Sequence, residues 1–356
     1  MRIIHIFGAR PQFIKVAMLA RAWQGNCEQF FLHTGQHYDV DLSDALIADL
    51  DMPTPDLNLG VGSASPAIQT AQMMVGIEEF MIHKNPDCVF VYGDTNSTLA
   101  AALVASKMKT TLAHVEAGLR SFNRSMPEEI NRIVTDHLSD YLFCPTRTAL
   151  INLENEGIRK EVALCGDVMA DALAYYRQNT MDEEIVLNKY GLRKNDFILL
   201  TLHRPGNVDS KENLKEIMAA VEEIGKMIVF PIHPRTKKML QTFRIKLPTN
   251  VKAIAPLEYT EMIILEQAAQ CVMTDSGGIQ KEAYLMGTPC ITLREETEWV
   301  ETVAAGWNVL VGASRERILS AFNDFHPTGE QPALFGDFHA AEKIVEQTLE
   351  WMRGMD

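Results

Sequence analysis

The stretch from Val91 to Arg132, VYGDTNSTLAAALVASKMKTTLAHVEAGLRSFNRSMPEEINR, constrains the fold more than any other part of the chain. The runs CVFVY before Asp94 and TLAHV before Glu116 are nearly unbroken apolar segments, and LAAALVASKM between them has the length and composition of a helix. Strand, helix and strand in that order, with strands too apolar to face water on either side, predict parallel strands covered on both faces and joined by a crossover helix. Open α/β sheets bind ligands just past the carboxyl ends of such strands. Asp94 and Glu116 stand at those two ends, and Glu128 opens the next helical stretch. Three carboxylates are therefore candidates for one cleft.

The same alternation runs through the rest of the chain. RIIHIFG, ARPQFIKVAMLARAW and QFFLHTG complete one βαβ unit within the first 35 positions. After the loop DMPTPDLNLGVGSASP, the helical stretch IQTAQMMVGIEEFMIHK leads to CVFVY, TLAHV, DYLFCP and EVALCG, which predicts one doubly wound domain over residues 1–168. A polar stretch over 168–195 reads as a helix and a linker. The strands FILLTLH, MIVFPIH, VKAIAP, CVMTD and PCITL, separated by ENLKEIMAAVEEIGK and GGIQKEAYLMG, predict a second domain over 190–337. HPTGEQPALFGD then breaks the pattern, and HAAEKIVEQTLEWM closes the chain as an amphipathic helix. At 356 residues the chain is about twice a typical domain. Two Rossmann-like α/β domains facing across a cleft are expected.

Composition excludes several partners. A formal net charge of −14 argues against nucleic acid or an anionic membrane, although a pocket inside an acidic protein can still be basic enough for an anionic ligand. No run of about 18 apolar residues is present, and MRIIHIFGARPQF lacks the pattern of a cleaved leader, so a cytoplasmic protein is expected. Cys27, Cys88, Cys144, Cys165, Cys271 and Cys290 lie mostly in or beside apolar strands and read as small buried hydrophobes. Without CxxC or HExxH spacing, no metal is expected. GARPQFIK has the glycines of neither a nicotinamide-binding nor a P-loop fingerprint, so no such cofactor is expected either.

Each polar position that attracts attention also has a plain structural reading. In TDSGGIQKEA, Ser276, Gly277 and Gly278 open a helix with backbone N–H groups that a pyrophosphate can approach, or Asp275 or Ser276 is only an N-cap. Arg10 and Lys15 suit a diphosphate as fixed cations, or they are solvated positions on a helix. Asp94 precedes a helix and fits an N-cap, and Ser125 with Glu128 fits a capping box. Glu116 has no such alternative, and its small or apolar neighbours would favour its protonated form. His203 and Arg204 follow FILLTL, His233 follows MIVFPI, His114 lies inside TLAHV, and Arg294 follows PCITL. A lone strand-end histidine is more often structural than catalytic. Two at corresponding ends of one sheet, His203 and His233, point toward the cleft.

GDTNSTLA, HVEAGLRS and PEEINR resemble the signature segments of the UDP-N-acetylglucosamine 2-epimerases. The likeness runs from GARPQFIK at residue 8 through TDSGGIQKEA to TEWVETVAAGWNVLVG, ending near residue 312. It implies the fold of the B-type nucleotide-sugar glycosyltransferases, with the C-terminal helix, residues 338–356, returning to the first domain. It implies a cytoplasmic, homodimeric isomerase that takes a UDP-sugar and no cofactor, and that interconverts UDP-N-acetylglucosamine and UDP-N-acetylmannosamine for cell-surface polysaccharide precursors. UDP would leave to give 2-acetamidoglucal and then re-add with C2 inverted. By resemblance, Asp94, Glu116, Glu128 and His203 are catalytic. Arg10, Lys15, Arg132, Arg204, His233, Ser276, Gly277, Gly278, Glu282 and Arg294 contact substrate or UDP, with Glu282 on the ribose. HTGQHYD, with Gln36 and His37, matches the place of an effector site, but the arginine expected near Gln69 is absent from SPAIQTAQ.

Three other activities stay open. TEWVETVAAGWNVLVG with Trp299 and Trp307, together with GARPQFIK and HPRTKK, leans toward the branch acting on UDP-2,3-diacetamido-2,3-dideoxyglucuronic acid, and LHRPGN departs from the plain enzymes' HRREN. A hydrolysing 2-epimerase is the second alternative. A retaining glycosyltransferase on the same scaffold is the third, disfavoured by the three-acid set and by the lack of an obvious acceptor patch.

Overall fold

The structure, a computed structural model, describes residues 1–36, 47–62, 64–179 and 182–354. The chain divides into two compact units, Met1–Ala174 with Ala333–Asp356, and Tyr175–Pro332. Each is a parallel α/β unit, as the alternation of strand and helix predicts. Among the described residues no helix is long and apolar enough to cross a membrane.

The first unit holds seven strands: β1 Arg2–Phe7, β2 Glu28–His33, β3 Leu57–Asn58, β4 Cys88–Tyr92, β5 Thr111–Val115, β6 Tyr141–Cys144 and β7 Val162–Leu164. They lie in the order β3-β2-β1-β4-β5-β6-β7, all parallel. Winding reverses between β1 and β4, so the carboxyl ends of those strands border the switch point where such sheets bind ligands. The two-residue strand β3 falls inside what reads as a loop, because both its residues are exposed and no apolar run marks it. Ile4, Ile6, Val89, Val91 and Leu112 form one face of the core. The helix Asn96–Met108 presents Ala100, Ala101 and Ala105 to it, all fully buried, and small side chains let helix and sheet approach closely.

The C-terminal helix Ala340–Arg353 belongs to this unit. Trp351 stacks on Phe143 at 5.4 Å and lies against Tyr141 at 4.9 Å. The helix has no side-chain cap of its own, and the carboxylate of Asp171 accepts the backbone N–H groups of Ala340 and Ala341 at 3.1 and 2.7 Å. The returning chain passes close to the outgoing one at Gly166 and Gly336. Both have left-handed φ, +90° and +93°, and a Cβ on Gly336 would lie 3.0 Å from the Gly166 Cα. Glycine is required at that crossing.

The second unit holds β8 Ile198–Thr201, β9 Ile228–Pro231, β10 Val251–Ile254, β11 Cys271–Thr274, β12 Cys290–Thr292 and β13 Asn308–Leu310. Their order is β10-β9-β8-β11-β12-β13, again all parallel. The sixth strand, β13, is absent from the sequence reading because its three residues merge with the tryptophan-bearing segment before them. Here the switch point lies between β8 and β11. Ile198, Leu200, Ile228, Phe230, Met273 and Ile291 pack one face and Leu199, Val229, Val272 and Cys290 the other, which is why these strands read as continuous apolar runs.

Candidate active site

In the first unit the chain leaves β4 through Gly93, which has φ +60° and donates its N–H to the Val115 carbonyl at 3.0 Å. The next residue is Asp94. The helix that follows is capped by Thr95, whose Oγ1 accepts the Thr98 N–H. Asp94 is therefore not the cap, and its carboxylate pairs with Arg132, Oδ2 to Nη2 at 2.6 Å. Arg132 in turn pairs with Glu129 at 2.7 Å.

Glu128 and Glu129 open the helix Pro127–Leu138. Its N-cap is Met126 with no side-chain bond, and the Ser125 hydroxyl turns back to Asn123, so the capping box read from Ser125 and Glu128 does not form. Glu128 is half-buried. Glu129, which the sequence reading passed over, is the buried member of the pair and accepts from Ser121 N, Ser121 Oγ and Phe122 N, each at 2.9 Å. Burial pushes its carboxyl up, but those donors and the Arg132 guanidinium outweigh it and hold the group below the usual carboxylate range. The i, i+3 spacing of Glu129 and Arg132 was the available signal.

Glu116 follows β5 with φ +77°, a conformation uncommon outside glycine and costing on the order of 1–3 kcal/mol when held by its surroundings. The N–H groups of Glu116 and Ala117 both donate to the Phe143 carbonyl, which holds the turn. Its carboxylate is not in the apolar setting read from sequence. Oε2 forms an ion pair with the Lys15 ammonium, the two side chains being 13% and 5% exposed. Gly93 makes room for the pair, since a Cβ there would lie 3.0 Å from Glu116 Oε2 and 3.6 Å from Lys15 Nζ. Asp94, Glu116, Lys15 and Arg132 are thus gathered around one turn, with Glu128 on the helix that carries Arg132.

Gln12 is a second residue that the sequence reading missed. It accepts from Gly8 and Ala9 N–H and donates to the Tyr92 carbonyl, Thr95 Oγ1 and Thr98 Oγ1, tying the ends of β1 and β4 together. Arg10 is the exposed first residue of the helix Arg10–Ala22. Gln36 accepts from Ser97 N and Oγ at 3.0 and 2.7 Å, and Gln69 is buried against Gly62 and Asn96. His37 lies outside the described residues.

His114 is fully buried. Its Nδ1 lies 2.7 Å from Asp136 Oδ1 and its Nε2 2.8 Å from the Gly93 carbonyl. Burial pushes the Asp136 carboxyl up, but hydrogen bonds and charge from His114 and Arg120 overcome this and hold it below its ordinary range.

In the second unit the buried carboxylate of Asp275 organises the loop after β8. It accepts from His203 N, Arg204 N and Asn207 Nδ2 at 3.1, 3.0 and 3.1 Å, and His203 Nδ1 lies 3.3 Å away. Ser276 is the N-cap of the helix Gly277–Met286. Gly277 and Gly278 differ sharply: a Cβ on Gly277 would lie 2.0 Å from Glu298 Oε1, whereas one on Gly278 would meet only Ser276 Oγ at 3.9 Å. His233 caps the helix Pro234–Phe243, its Nδ1 accepting the Arg235 N–H, and its ring lies 6.1 Å from that of His203. Burial and the Arg235 charge hold the His233 pKa below the usual value. Since Nδ1 accepts, Nε2 carries the proton and is a donor. Glu282 is buried and, with Glu266, adds to the burial that raises the Tyr259 phenol. Arg294 is drawn inward, its side chain 8% exposed and 3.0 Å from Glu298. Among the described residues, no three His, Cys, Asp or Glu side chains group to hold a metal ion.

Comparison with known proteins identifies the family. A family profile described as UDP-N-acetylglucosamine 2-epimerase matches residues 21–349. A UDP-N-acetylglucosamine 2-epimerase homolog of Methanococcus maripaludis is 49% identical, covering 97% of this chain and 99% of that protein. The UDP-2,3-diacetamido-2,3-dideoxy-D-glucuronate 2-epimerase of Pseudomonas aeruginosa is 44% identical over 97% of this chain and 99% of its own length. The crystal structure of the Methanocaldococcus jannaschii UDP-GlcNAc 2-epimerase, in complex with UDP-GlcNAc and UDP, superposes with a TM-score of 0.93 at 42% identity, covering 99% of this chain and 100% of that one. The chain belongs to the UDP-N-acetylglucosamine 2-epimerase family.

Proposed function

We propose that the protein is a non-hydrolysing UDP-N-acetylglucosamine 2-epimerase, interconverting UDP-GlcNAc and UDP-ManNAc. The observation that carries this reading is the pair of acid–cation contacts, Asp94 with Arg132 and Glu116 with Lys15, set around Gly93 at the ends of β4 and β5. The proton at C2 of an N-acetylhexosamine is beside no carbonyl, so its removal needs a second driving force. Breakage of the C1–O bond provides it: the C2–H electron pair forms the double bond of 2-acetamidoglucal as UDP departs with the C1–O pair. Re-addition of UDP at C1 and of a proton at C2 from the opposite face inverts C2. Atoms and electrons return to balance without a redox cofactor.

Two acids in different settings suit the two faces of C2. Asp94, Glu116 and Glu128 are assigned to this proton work. The leaving diphosphate is assigned to the N-terminus of Gly277–Met286, with Ser276 and Gly278, to His203 and Arg204 held by Asp275, and to His233 as a donor through Nε2. Glu282 is assigned to the ribose, and Arg10 and Arg294 to the nucleotide and phosphates.

Identity does not separate the two sugar substrates, at 44% for the uronate epimerase and 42% for the UDP-GlcNAc enzyme of known structure. The test is proton NMR in D2O, with UDP-GlcNAc and the diacetamido uronate offered side by side. Deuterium at C2 of intact UDP-GlcNAc is expected. Release of free sugar would mean a hydrolase, and exchange in the uronate alone would move the substrate to that branch.

A cytoplasmic homodimer is part of this reading. Six free cysteines, five of them buried, suit a reducing compartment. Exposed Ile68, Val75 and Ile82 recur every seven residues along Pro66–Lys84 as an apolar stripe. Light scattering that returned the mass of one chain would remove the dimer.

A further inference from the structure

The buried His114 and Asp136 take no part in the reaction outlined above, yet every element that carries one of the three acids is tied to them. His114 Nε2 faces the carbonyl of Gly93, the residue before Asp94, at 2.8 Å, and His114 itself stands two residues before Glu116. Its Nδ1 faces Asp136 Oδ1 at 2.7 Å. The other oxygen of Asp136 accepts from the Gly118 N–H at 3.1 Å, two residues after Glu116, and from Arg120 Nη1 at 2.7 Å. Arg120 is fixed in turn by a two-pronged contact with Glu156, both bonds 2.7 Å. Asp136 lies one helical turn beyond Arg132, the partner of Asp94, on the helix that Glu128 opens. The Gly93 carbonyl can only accept, so the ring donates to it through Nε2. The side-chain contacts then run without a break through His114, Asp136, Arg120 and Glu156, with the first three side chains at 1% exposure or less.

A buried ion network is weak evidence for stability, because desolvation offsets much of its attraction, but it fixes geometry. Gly93 and Glu116 both have left-handed φ, and nothing in their own side chains holds the Gly93 carbonyl in place. We infer that His114, aimed by Asp136, is a positioning residue: through the Gly93 carbonyl it sets the spacing between Asp94 and Glu116. This rests on the reading that those two acids exchange the C2 proton.

The test compares His114→Phe, which keeps a ring but no donor, with His114→Gln, whose amide can still donate to the Gly93 carbonyl. With UDP-GlcNAc as substrate, His114→Phe should lower kcat per folded molecule tenfold or more, while Kd for UDP stays within twofold, since a small misplacement of reacting groups costs about 10- to 100-fold. His114→Gln should recover most of the loss. A His114→Phe enzyme with wild-type kcat, or one whose kcat and UDP affinity fall together, overturns the inference. Should His114→Phe not fold, Asp136→Asn carries the test with the same expected split, and wild-type kcat there overturns it equally. Glu116→Gln separates the two levels: if it turns over normally, the acid reading itself fails, whereas a dead Glu116→Gln beside a normal His114→Phe removes only the positioning role.

Discussion

Gly278 offers a test in which stability and binding should move in opposite directions. Its φ is not left-handed, it lies inside the first turn of Gly277–Met286, and a Cβ there would meet only Ser276 Oγ at 3.9 Å. Neither backbone conformation nor packing requires glycine at this position. Replacing glycine by alanine in a helix is favourable by about 0.5–1 kcal/mol, so Gly278→Ala should raise Tm by about 1 °C in a chain this long. The same methyl group would stand where a diphosphate approaches the helix N–H groups. Losing a hydrogen bond to a charged ligand, worth about 1.5–3 kcal/mol, should weaken UDP by roughly 10- to 200-fold. Gly278→Val should abolish binding. Gly277 is no substitute for this experiment, because Glu298 already forbids a side chain there. Calorimetric titration with UDP and a thermal scan of the same sample give both quantities. A Gly278→Ala protein that binds UDP as wild type does would refute the assignment of the diphosphate to this helix.

Asp94→Asn, Glu116→Gln and Glu128→Gln should each lower kcat at least about a hundredfold. Their stabilities should differ: Glu128→Gln keeps the shape and hydrogen-bonding capacity of the side chain and should melt close to wild type, whereas Glu116→Gln leaves the buried Lys15 without its counter-charge and should lose about 3 kcal/mol. Burial raises Asp171 from 3.8 to about 6, against the pull of the Ala341 and Ala340 N–H groups. The folded protein then binds a proton more tightly than the unfolded one, so stability falls as pH rises from 3.8 to about 6 and is level beyond. Melting curves of wild type and Asp171→Asn should diverge in that window, the wild type losing ground with rising pH; the opposite trend sinks the idea. Gly336→Ala should destabilise by about 2 kcal/mol or more, through its left-handed φ and its 3.0 Å approach to the Gly166 Cα, and chemical denaturation measures it.

The parts of this architecture that show in the sequence are those governed by local rules. β4, β5, β8 and β11 are buried on both faces and read as apolar runs, while β3 is two exposed residues and β13 merges with the tryptophan-bearing segment before it. Asp94 and Glu116 were visible because strand ends in such sheets are ligand-facing whatever their partners. What Asp94 does locally was not, since Asp94 and Thr95 are both competent caps and only the fold shows that Thr95 takes the helix. Adjacent Glu128 and Glu129 pose the same ambiguity, and periodicity alone does not say which faces inward. Gln12 and Asp136 act on partners more than 15 residues away in the chain, which no spacing rule reaches.

The return of residues 333–354 to the first unit also orders events during synthesis. The second unit is one continuous segment, complete once Pro332 has been made. The first is not: its opening 174 residues must wait, with the aromatic faces of Tyr141 and Phe143 and the carboxylate of Asp171 uncovered, until the last helix emerges. Domains generally fold as units while the chain grows from its N-terminus. Here the segment made first is finished last, so a ribosome that stalls before Ala340 leaves a folded second unit tethered to an unsealed first one, and exposed aromatic surface of that kind is what chaperones and proteases engage.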